Sequence, residues 1–348
     1  MRLKTTFKTN LVAIGFGLFL IIFIFIFGEL SARVYYKLFP VEQADTFSDV
    51  PYMIGDEALG YRLRPSTKAR VVKRIQAEII YDVIYSSDEV GRRKTTFQKK
   101  RKKFALFFGD SNTFGEGIDE HETLPYFFAK TMKEYTPYNY AFQGYGTQQM
   151  LEWLKQKSFR ENVSQKNGVA FYSYFDYHIN RVIGATEYLK WNPGIHPYYY
   201  LDQNHQLKRD GNFINGRAVL TKFYHLFNFS ALFRALGLNL PLFINNSHRE
   251  LLCEVIKESR KSFLENFPDS KFVVLINPVS GKNDKMIESC FVKEHFTFID
   301  LRDLCGNQNY FDLRDKGIYA VRGDGHFNGK TNELMVQKML PELKSLGI

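Results

Sequence analysis

The chain of 348 residues has the length of one large domain or two modest ones. With 45% apolar and 24% charged residues, its composition is that of a globular protein that buries a core. These values exclude a largely disordered chain, a collagen-like repeat and a small disulfide-rich protein. The formal net charge of +10 leaves an anionic partner open.

An apolar segment lies near the N-terminus. Residues 11–27 contain no charged side chain and would form a helix of about 25 Å, close to the thickness of a bilayer's hydrocarbon core. Because basic residues precede this run, we expect a cytoplasmic tail at 1–10, a transmembrane anchor at 11–30 and a periplasmic or otherwise extracytoplasmic domain. A cleaved signal peptide is the alternative, but the small-residue site that ends at Ala32 is poor.

A stalk and N-terminal strands are expected at 31–100. Residues 40–75 contain several Pro and Gly and little periodicity, which indicates a stalk along the domain surface, whereas 75–85 alternate like a strand or hairpin. A basic stretch follows from Arg92 and ends in KKRKK at 99–103. This basic stretch could bind nucleic acid, anionic lipid or an acidic polysaccharide. The alternative is a solvated loop without a partner. We favour the solvated loop and expect no nucleic-acid partner, because the domain is anchored outside the cytoplasm.

From residue 101 onward, short apolar runs alternate with helical patterns. Strands that are apolar on both faces are typical of a parallel sheet covered on both sides. The predicted strands are Phe104–Phe108, Tyr138–Phe142, Val169–Phe175, Phe272–Ile276 and Phe296–Leu301, and the predicted helices are Leu124–Glu134, Thr147–Lys157, His248–Phe267 and Asn332–Leu346. This order predicts an α/β domain at 101–348, a three-layer α/β/α sandwich with a mostly parallel sheet.

Residues 185–247 interrupt the alternation and are predicted to form an insertion. Within it, residues 223–243 are rich in Phe and Leu and carry a single charged residue, Arg234. Such a segment could lie on a membrane, cover a site or form a buried helical arm, and we favour the buried arm.

The three cysteines, at positions 253, 290 and 305, match no zinc-binding or CxxC spacing. An odd number leaves at least one thiol unpaired, and a bridge between Cys290 and Cys305 is one option. We expect neither a metal nor a cofactor.

Ser111 follows the first predicted strand, in the sequence Gly-Asp-Ser. A serine there lies at the carboxyl edge of a parallel sheet, where ligands bind, and its backbone N–H can bind an oxyanion. Gly144 and Gly146 follow the second strand and are candidates for a second oxyanion donor. The structural alternative is that these segments are only tight turns that cap the next helix.

His326 differs from the other seven histidines because it lies in a glycine-rich segment directly before the last predicted helix. Asp324 precedes it by two residues. A carboxylate can orient an imidazole that then deprotonates a serine. Together with Ser111, the pair favours nucleophilic catalysis over a structural role.

Over about residues 80–348, these motifs resemble those of the SGNH/GDSL hydrolase superfamily. The resemblance implies a flavodoxin-like SGNH hydrolase fold. It also implies that Ser111 is the nucleophile, that Asp324 and His326 complete a triad, and that Gly144 or Gly146 is the glycine of the second motif.

The third motif of that family usually carries an oxyanion-binding Asn, and the matching segment at 175–181 lacks it. His178 or Asn180 would replace it as an oxyanion donor, and Arg181, together with Asp110, would bind substrate. The alternative is that Asp176, His178 and Arg181 form a structural polar cluster. The single residue between Asp324 and His326, where the family often has two, is similar to membrane-associated members that act on exported polysaccharides.

The sequence therefore predicts a membrane-anchored serine esterase that acts on an O-acyl ester, above all an O-acetyl ester, of a carbohydrate or lipid. One alternative is an O-acyltransferase acting on an exported polysaccharide, with a membrane acyltransferase as its partner. Another is a non-catalytic module that binds glycan or supports assembly at the membrane.

Overall fold

The computed structural model describes residues 2–95, 97, 101–281, 285–304, 306, 313 and 316–348, and at residues 2–12, 285 and 286 the backbone only. Lys99 and Lys100 of the KKRKK run and Cys305 lie outside the described residues. In chain order the elements are α1 (Arg2–Leu38), β1 (Ala44–Ser48), β2 (Met53–Asp56), β3 (Gly60–Leu63), β4 (Lys68–Ile75), β5 (Glu78–Ser86), β6 (Lys103–Phe108), α2 (Ser111–Phe114), α3 (Leu124–Thr131), β7 (Tyr135–Asn139), α4 (Thr147–Lys155), β8 (Gly168–Tyr174), α5 (His178–Val182), α6 (Thr186–Leu189), β9 (Pro197–Leu201), β10 (Leu207–Asn212), α7 (Ala218–Asn228), α8 (Ala231–Ala235), α9 (Asn246–Asn266), β11 (Lys271–Ile276), α10 (Lys285–Lys293), β12 (Thr297–Asp300) and α11 (Gly329–Ser345).

The first helix, α1, contains the apolar run. Among the described residues, its segment Ala13–Leu38 is the one helix long and apolar enough to cross a membrane, with a mean hydropathy of 2.5 and none of its most apolar window buried. A transmembrane anchor and a signal sequence share these properties. The helix is therefore compatible with the anchor expected at 11–30.

The N-terminal strands occupy more of the chain than expected. An antiparallel three-stranded sheet in the order β1-β4-β5 and the hairpin β2-β3 fill most of residues 44–86. The segment 40–75, expected to form a stalk along the domain surface, thus consists largely of strands. The side chains that hold these strands in place, such as Tyr61, Tyr81 and Tyr85, pack into the core of the following domain, a contact that local periodicity does not report.

The central sheet has five parallel strands in the order β7-β6-β8-β11-β12. This is the 2-1-3-4-5 order of flavodoxin-like folds, and it confirms the predicted three-layer α/β/α sandwich. Strand β6 shows why its apolar run has no polar face: Phe104, Leu106 and Phe108 pack on the side of α4 and α9, while Ala105 and Phe107 pack on the side of α3 and α11. The topological switch point lies between β6 and β8.

Strand β7 begins three residues before the predicted position. It pairs with β6 from Lys103↔Tyr135 to Phe107↔Asn139, so the apolar residues Tyr140 to Phe142 lie beyond the sheet edge. They are buried there all the same. These three residues are buried without being paired in the sheet. An apolar run predicts that residues are buried, but it does not show which of them pair with a neighbouring strand.

The predicted insertion contains α6, the hairpin β9-β10, α7 and α8. The favoured interpretation of its Phe- and Leu-rich part as a buried arm is wrong, because Phe223, Phe229 and Phe243 are 53%, 76% and 82% exposed. A disulfide joins Cys253 on α9 to Cys290 on α10, with Cα atoms 6.3 Å apart. This pairing replaces the considered Cys290–Cys305 bridge, because α9 packs directly against α10.

Candidate active site

Ser111 is the first residue of α2, immediately past the carboxyl end of β6. Asp110 caps this helix by accepting a hydrogen bond from the Asn112 N–H at 3.0 Å. Gly109 is required before it, since a Cβ atom there would lie 2.4 Å from Thr113 Oγ1 and 3.1 Å from Ser173 Cβ. The tight passage from strand to helix leaves Ser111 itself 7% exposed at the sheet edge.

Arg93 holds the turn that follows Ser111. It is buried, and its guanidinium donates to the carbonyl oxygens of Phe114 at 2.7 Å and Ile118 at 2.6 Å. Arg92 is buried too, and it forms an ion pair with Asp88 at 2.6 Å. The expectation of a solvated loop is wrong for these two arginines, because carbonyl and carboxylate oxygens from neighbouring segments satisfy their charge.

His326 lies directly against Ser111. Its Nε2 atom is 2.8 Å from Ser111 Oγ, and its Nδ1 atom bonds to the carboxylate of Asp324. The loop is tied to the nucleophile turn by a hydrogen bond from the Phe327 N–H to Asn112 Oδ1 at 3.1 Å. Because an ionised carboxylate only accepts, Nδ1 carries the proton and Nε2 is free to accept that of the Ser111 hydroxyl.

Asp324 is fully buried and has a second partner, Lys73 of β4, whose ammonium bonds to its other oxygen. Burial raises the pKa of this carboxyl, but the hydrogen bond from His326 and the Lys73 charge outweigh it and lower the pKa to about 2. Asp324 therefore stays ionised, as an imidazole-orienting carboxylate must.

Glu116 lies on the other side of the imidazole, with Oε2 at 3.5 Å from His326 Nε2. Burial lowers the pKa of His326, but the negative charges of Glu116 and Asp324 raise it above its ordinary value. Sequence reasoning missed Glu116 and Lys73. Glu116 could have been found as a carboxylate within the Ser111 motif, whereas Lys73 is 251 residues from Asp324 and no local pattern marks it.

In the described part of the chain, one group of side chains could hold a cation: Glu116, Asp324 and His326, whose ligand atoms lie within 4.8 Å of one another. Asp324 already bonds to Lys73, and His326 to Ser111. A metal ion there would have to displace the Lys73 ammonium, which makes the group a poor cation site.

The two glycines of the second motif have different environments. Gly144 adopts φ 74°, and a Cβ atom there would lie 2.4 Å from the Tyr61 hydroxyl and 2.6 Å from the Trp191 ring. The Gly146 N–H donates to Gln149 Oε1 at 2.8 Å within the first turn of α4. That donor is already engaged, which leaves Gly144 as the candidate of the two for binding an oxyanion.

The third-motif residues form a buried network beneath Ser111. His178 Nδ1 is 2.7 Å from the Tyr172 hydroxyl, and its Nε2 is 3.4 Å from Asp110 Oδ2. Arg181 Nη1 is 3.3 Å from the same carboxylate oxygen. No hydrogen bond among the described residues joins Asn180 to Ser111 or His326. These contacts favour the structural alternative for Asp110, His178 and Arg181 over direct contact with substrate.

The charges in this network are mutually dependent. Burial raises the pKa of Asp110, but the charge of Arg181 and the contact with His178 lower it well below its usual range. Burial lowers the pKa of His178, and Arg181 adds to that effect against the opposing effect of Asp110. His178 is thus neutral, and Asp110 and Arg181 form the charged pair.

No protein-family model matches the chain, and no curated protein matches its sequence. Solved structures do match. A lipolytic protein of the G-D-S-L family from Veillonella parvula is 12% identical, with 70% of this chain and 98% of that chain covered and a TM-score of 0.39. An acetyl xylan esterase from Butyrivibrio proteoclasticus is 9% identical, with 73% and 67% covered and a TM-score of 0.39. A carbohydrate esterase family 2 enzyme from Corynascus thermopiles is 14% identical, with 88% of both chains covered and a TM-score of 0.36.

At these identities and TM-scores, such likeness gives no information about substrate or reaction. The functional assignment depends on the residues around Ser111.

Proposed function

We propose that the protein is a serine esterase of the SGNH/GDSL type that hydrolyses an O-acyl ester. The observation that carries the proposal is the 2.8 Å contact between Ser111 Oγ and His326 Nε2, with Asp324 bonded to the opposite ring nitrogen. A hydroxyl, an imidazole and a carboxylate in this order are the parts required for acyl transfer through a covalent intermediate.

In the proposed reaction, Ser111 Oγ attacks the ester carbonyl while His326 Nε2 takes its proton. The negative charge moves to the carbonyl oxygen, where the N–H groups of Ser111 and Gly144 stabilise it. The tetrahedral intermediate collapses, the C–O bond to the alcohol breaks, and His326 gives its proton to the leaving oxygen. His326 then deprotonates a water molecule, which attacks the acyl carbon; the bond to Ser111 Oγ breaks, His326 returns the proton to Oγ, and the carboxylic acid leaves. Asp324 orients the imidazole, Lys73 keeps Asp324 in place, and no metal or cofactor is needed.

The alcohol part of the substrate is proposed to be a carbohydrate, with a lipid as the alternative. Trp191 supports a carbohydrate: it packs against Gly144 while remaining 51% exposed, so an aromatic surface is available beside the proposed oxyanion site. Tyr188 fixes the indole by an edge-to-face contact with ring centroids 4.8 Å apart. The apolar faces of sugar rings pack on such surfaces.

A second candidate function is O-acyl transfer to an exported polysaccharide. The low exposure of Ser111, 7%, supports it, because an acyl-enzyme shielded from water can react with a sugar hydroxyl instead. In that case a membrane acyltransferase partner would supply the acyl group. Both reactions use the same nucleophile, base and oxyanion donors.

We also propose that α1 anchors the protein, with the N-terminus in the cytoplasm and the catalytic domain in the periplasm or another extracytoplasmic compartment. The Cys253–Cys290 disulfide supports this placement, because disulfides persist in oxidising compartments and are rare in the cytosol.

The test uses the full chain in detergent with p-nitrophenyl acetate and a serine-directed fluorophosphonate. We expect turnover and labelling to be lost in Ser111→Ala, and turnover to be lost in His326→Ala. The matched control is His205→Ala, which removes another histidine paired with a carboxylate, Glu250 at 2.8 Å, on the exposed surface.

Labelling at Ser111 with little hydrolysis, together with acyl transfer when a polysaccharide is added, would favour the transferase. Well-folded protein that neither labels nor turns over would overturn the enzymatic proposal. A non-catalytic glycan-binding or assembly module would then be the better account.

A further inference from the structure

The helices α7 and α8 of the insertion expose an apolar face that no described residue covers. On α7, Val219, Phe223 and Leu226 follow a helical spacing of four and three residues and are 85%, 53% and 68% exposed. The opposite face of the same helix carries Thr221 and Tyr224, which are buried. The helix therefore packs on the domain with one face and leaves the apolar side chains of its other face exposed.

The exposed face continues beyond α7. Phe229 between the two helices, Leu236 at the end of α8 and Phe243 after it are 76%, 61% and 82% exposed. Six large apolar side chains this exposed within 25 residues of one segment are uncommon on a monomeric soluble protein and mark an interaction surface.

The position of α8 is fixed by α1. The Glu29 carboxylate of α1 accepts hydrogen bonds from the backbone N–H groups of Ala231 and Leu232, both at 3.0 Å, and from the Ser230 hydroxyl at 2.7 Å. Arg33, one turn further along α1, donates to the Phe229 carbonyl at 3.2 Å. Glu29 thus satisfies the free N–H groups at the start of α8 and docks this helix onto α1.

Two further contacts show which part of α1 lies beside α8. The rings of Phe25 and Phe233 lie 5.6 Å apart, and a Cβ atom on Gly28 would be 3.1 Å from Leu232 Cδ2. Phe25 belongs to the apolar run and lies two residues, about 3 Å along the helix axis, before its end at Phe27. A helix that packs here lies where the membrane span of α1 leaves the hydrocarbon.

We propose that the exposed apolar face of α7 and α8 lies in the boundary between headgroups and acyl chains of the bilayer that α1 crosses. This inference depends on the proposed anchor. Continuity with the apolar surface of α1 identifies lipid as the occupant. The exposed basic residues Lys222 and Arg234, next to the apolar ones, suit anionic headgroups. The anchor and the in-plane helices together hold the catalytic domain at one height above the membrane.

The experiment uses the full chain reconstituted in vesicles of phosphatidylethanolamine and phosphatidylglycerol. Photoreactive benzoylphenylalanine replaces Val219, Leu226 or Phe243, one position at a time, and lipid adducts are quantified by mass spectrometry after irradiation. Lys261 on α9, whose side chain is 64% exposed, is the negative control. Phe19, 63% exposed in the apolar run of α1, is the positive control.

We expect lipid adducts at Val219, Leu226 and Phe243 in at least about ten-fold excess over Lys261. Adducts at Phe19 with only background at the three test positions would overturn the inference and leave the anchor intact. Adducts of the test positions with a second copy of the chain would overturn it in favour of a dimer surface. Absence of adducts at Phe19 would overturn the anchor, and the inference with it, without affecting the assignment of Ser111.

Discussion

Two pairs of a histidine and an aspartate lie within the same site and have opposite environments. His326 and Asp324 belong to one loop, and the imidazole is 22% exposed and in contact with Ser111. His178 begins α5, after β8, whereas Asp110 follows β6, and both are buried. The neighbouring charge differs too: Glu116 faces His326, whereas Arg181 faces His178 and Asp110.

The difference shows that a His–Asp pair acquires a role from what surrounds it. Negative charge beside His326 raises the pKa of its imidazole and favours proton uptake, so the residue suits a general base. Burial and positive charge beside His178 lower the pKa of its imidazole, so it remains neutral and holds neighbouring polar groups in place. Four sets of variants test this comparison, in order of decreasing effect.

The largest difference is expected between the two histidines. His326→Ala should lower kcat by about 10⁶, as loss of the base does in serine hydrolases, with little change in Tm. His178→Gln should retain kcat within about ten-fold and lower the free energy of unfolding by about 1–3 kcal/mol, because the buried Tyr172 hydroxyl loses one of its two partners and keeps only Thr147. Steady-state ester hydrolysis and thermal unfolding measure both. Equal loss of kcat in the two variants would refute the division of roles.

Asp324→Asn should lower kcat by about 10⁴, since an amide no longer imposes the required tautomer on His326. Lys73→Met should lower kcat by about ten-fold, because Lys73 acts only through Asp324. The control is Lys155→Met, which removes a lysine 3.5 Å from Glu258 on an exposed surface. If Lys73→Met retained as much kcat as this control, Lys73 and strand β4 would contribute to the structure of the site but not to its activity.

Asp110→Asn tests the buried pair through stability. It leaves the Arg181 charge buried without a counter-ion, so the free energy of unfolding should fall by about 3 kcal/mol. The double variant Asp110→Asn with Arg181→Met should recover part of this loss, because both charges are then absent. Chemical denaturation measures the values, and a double variant that is no more stable than the single one would contradict the pairing.

The smallest expected effect is a shift in the pH dependence of kcat/KM. Neutral His326 is the active form, so kcat/KM should fall as the pH drops through a pKa raised above the ordinary value for histidine. Glu116→Gln removes a negative charge that favours the imidazolium, so this acid limb should move to lower pH. Glu265→Gln, at an exposed site on α9, is the control. A limb that stays in place in Glu116→Gln would show that Glu116 has no influence on the base.

The sequence alone predicted the central sheet well, because strands covered on both sides have an unmistakable apolar composition. Four of the five predicted strands overlap the observed ones almost fully, and the α/β/α architecture followed from their alternation with helices. Ser111, Asp324 and His326 could be selected because each lies at an element boundary in a glycine-rich motif. The strand-to-helix turn at Gly109 and the loop before α11 are local structures, which the local sequence specifies.

The features that the sequence did not predict depend on contacts between residues far apart in the chain. The partner of Asp324 is Lys73 from a different sheet, Arg93 satisfies carbonyls beyond Ser111, and Cys253 bonds to Cys290 because α9 and α10 pack together. Whether a polar group is free or engaged, as for the N–H of Gly146, depends on the atoms that the fold brings next to it. The helix α8 docks on α1 through Glu29, and local periodicity cannot encode a contact between residues some 200 positions apart.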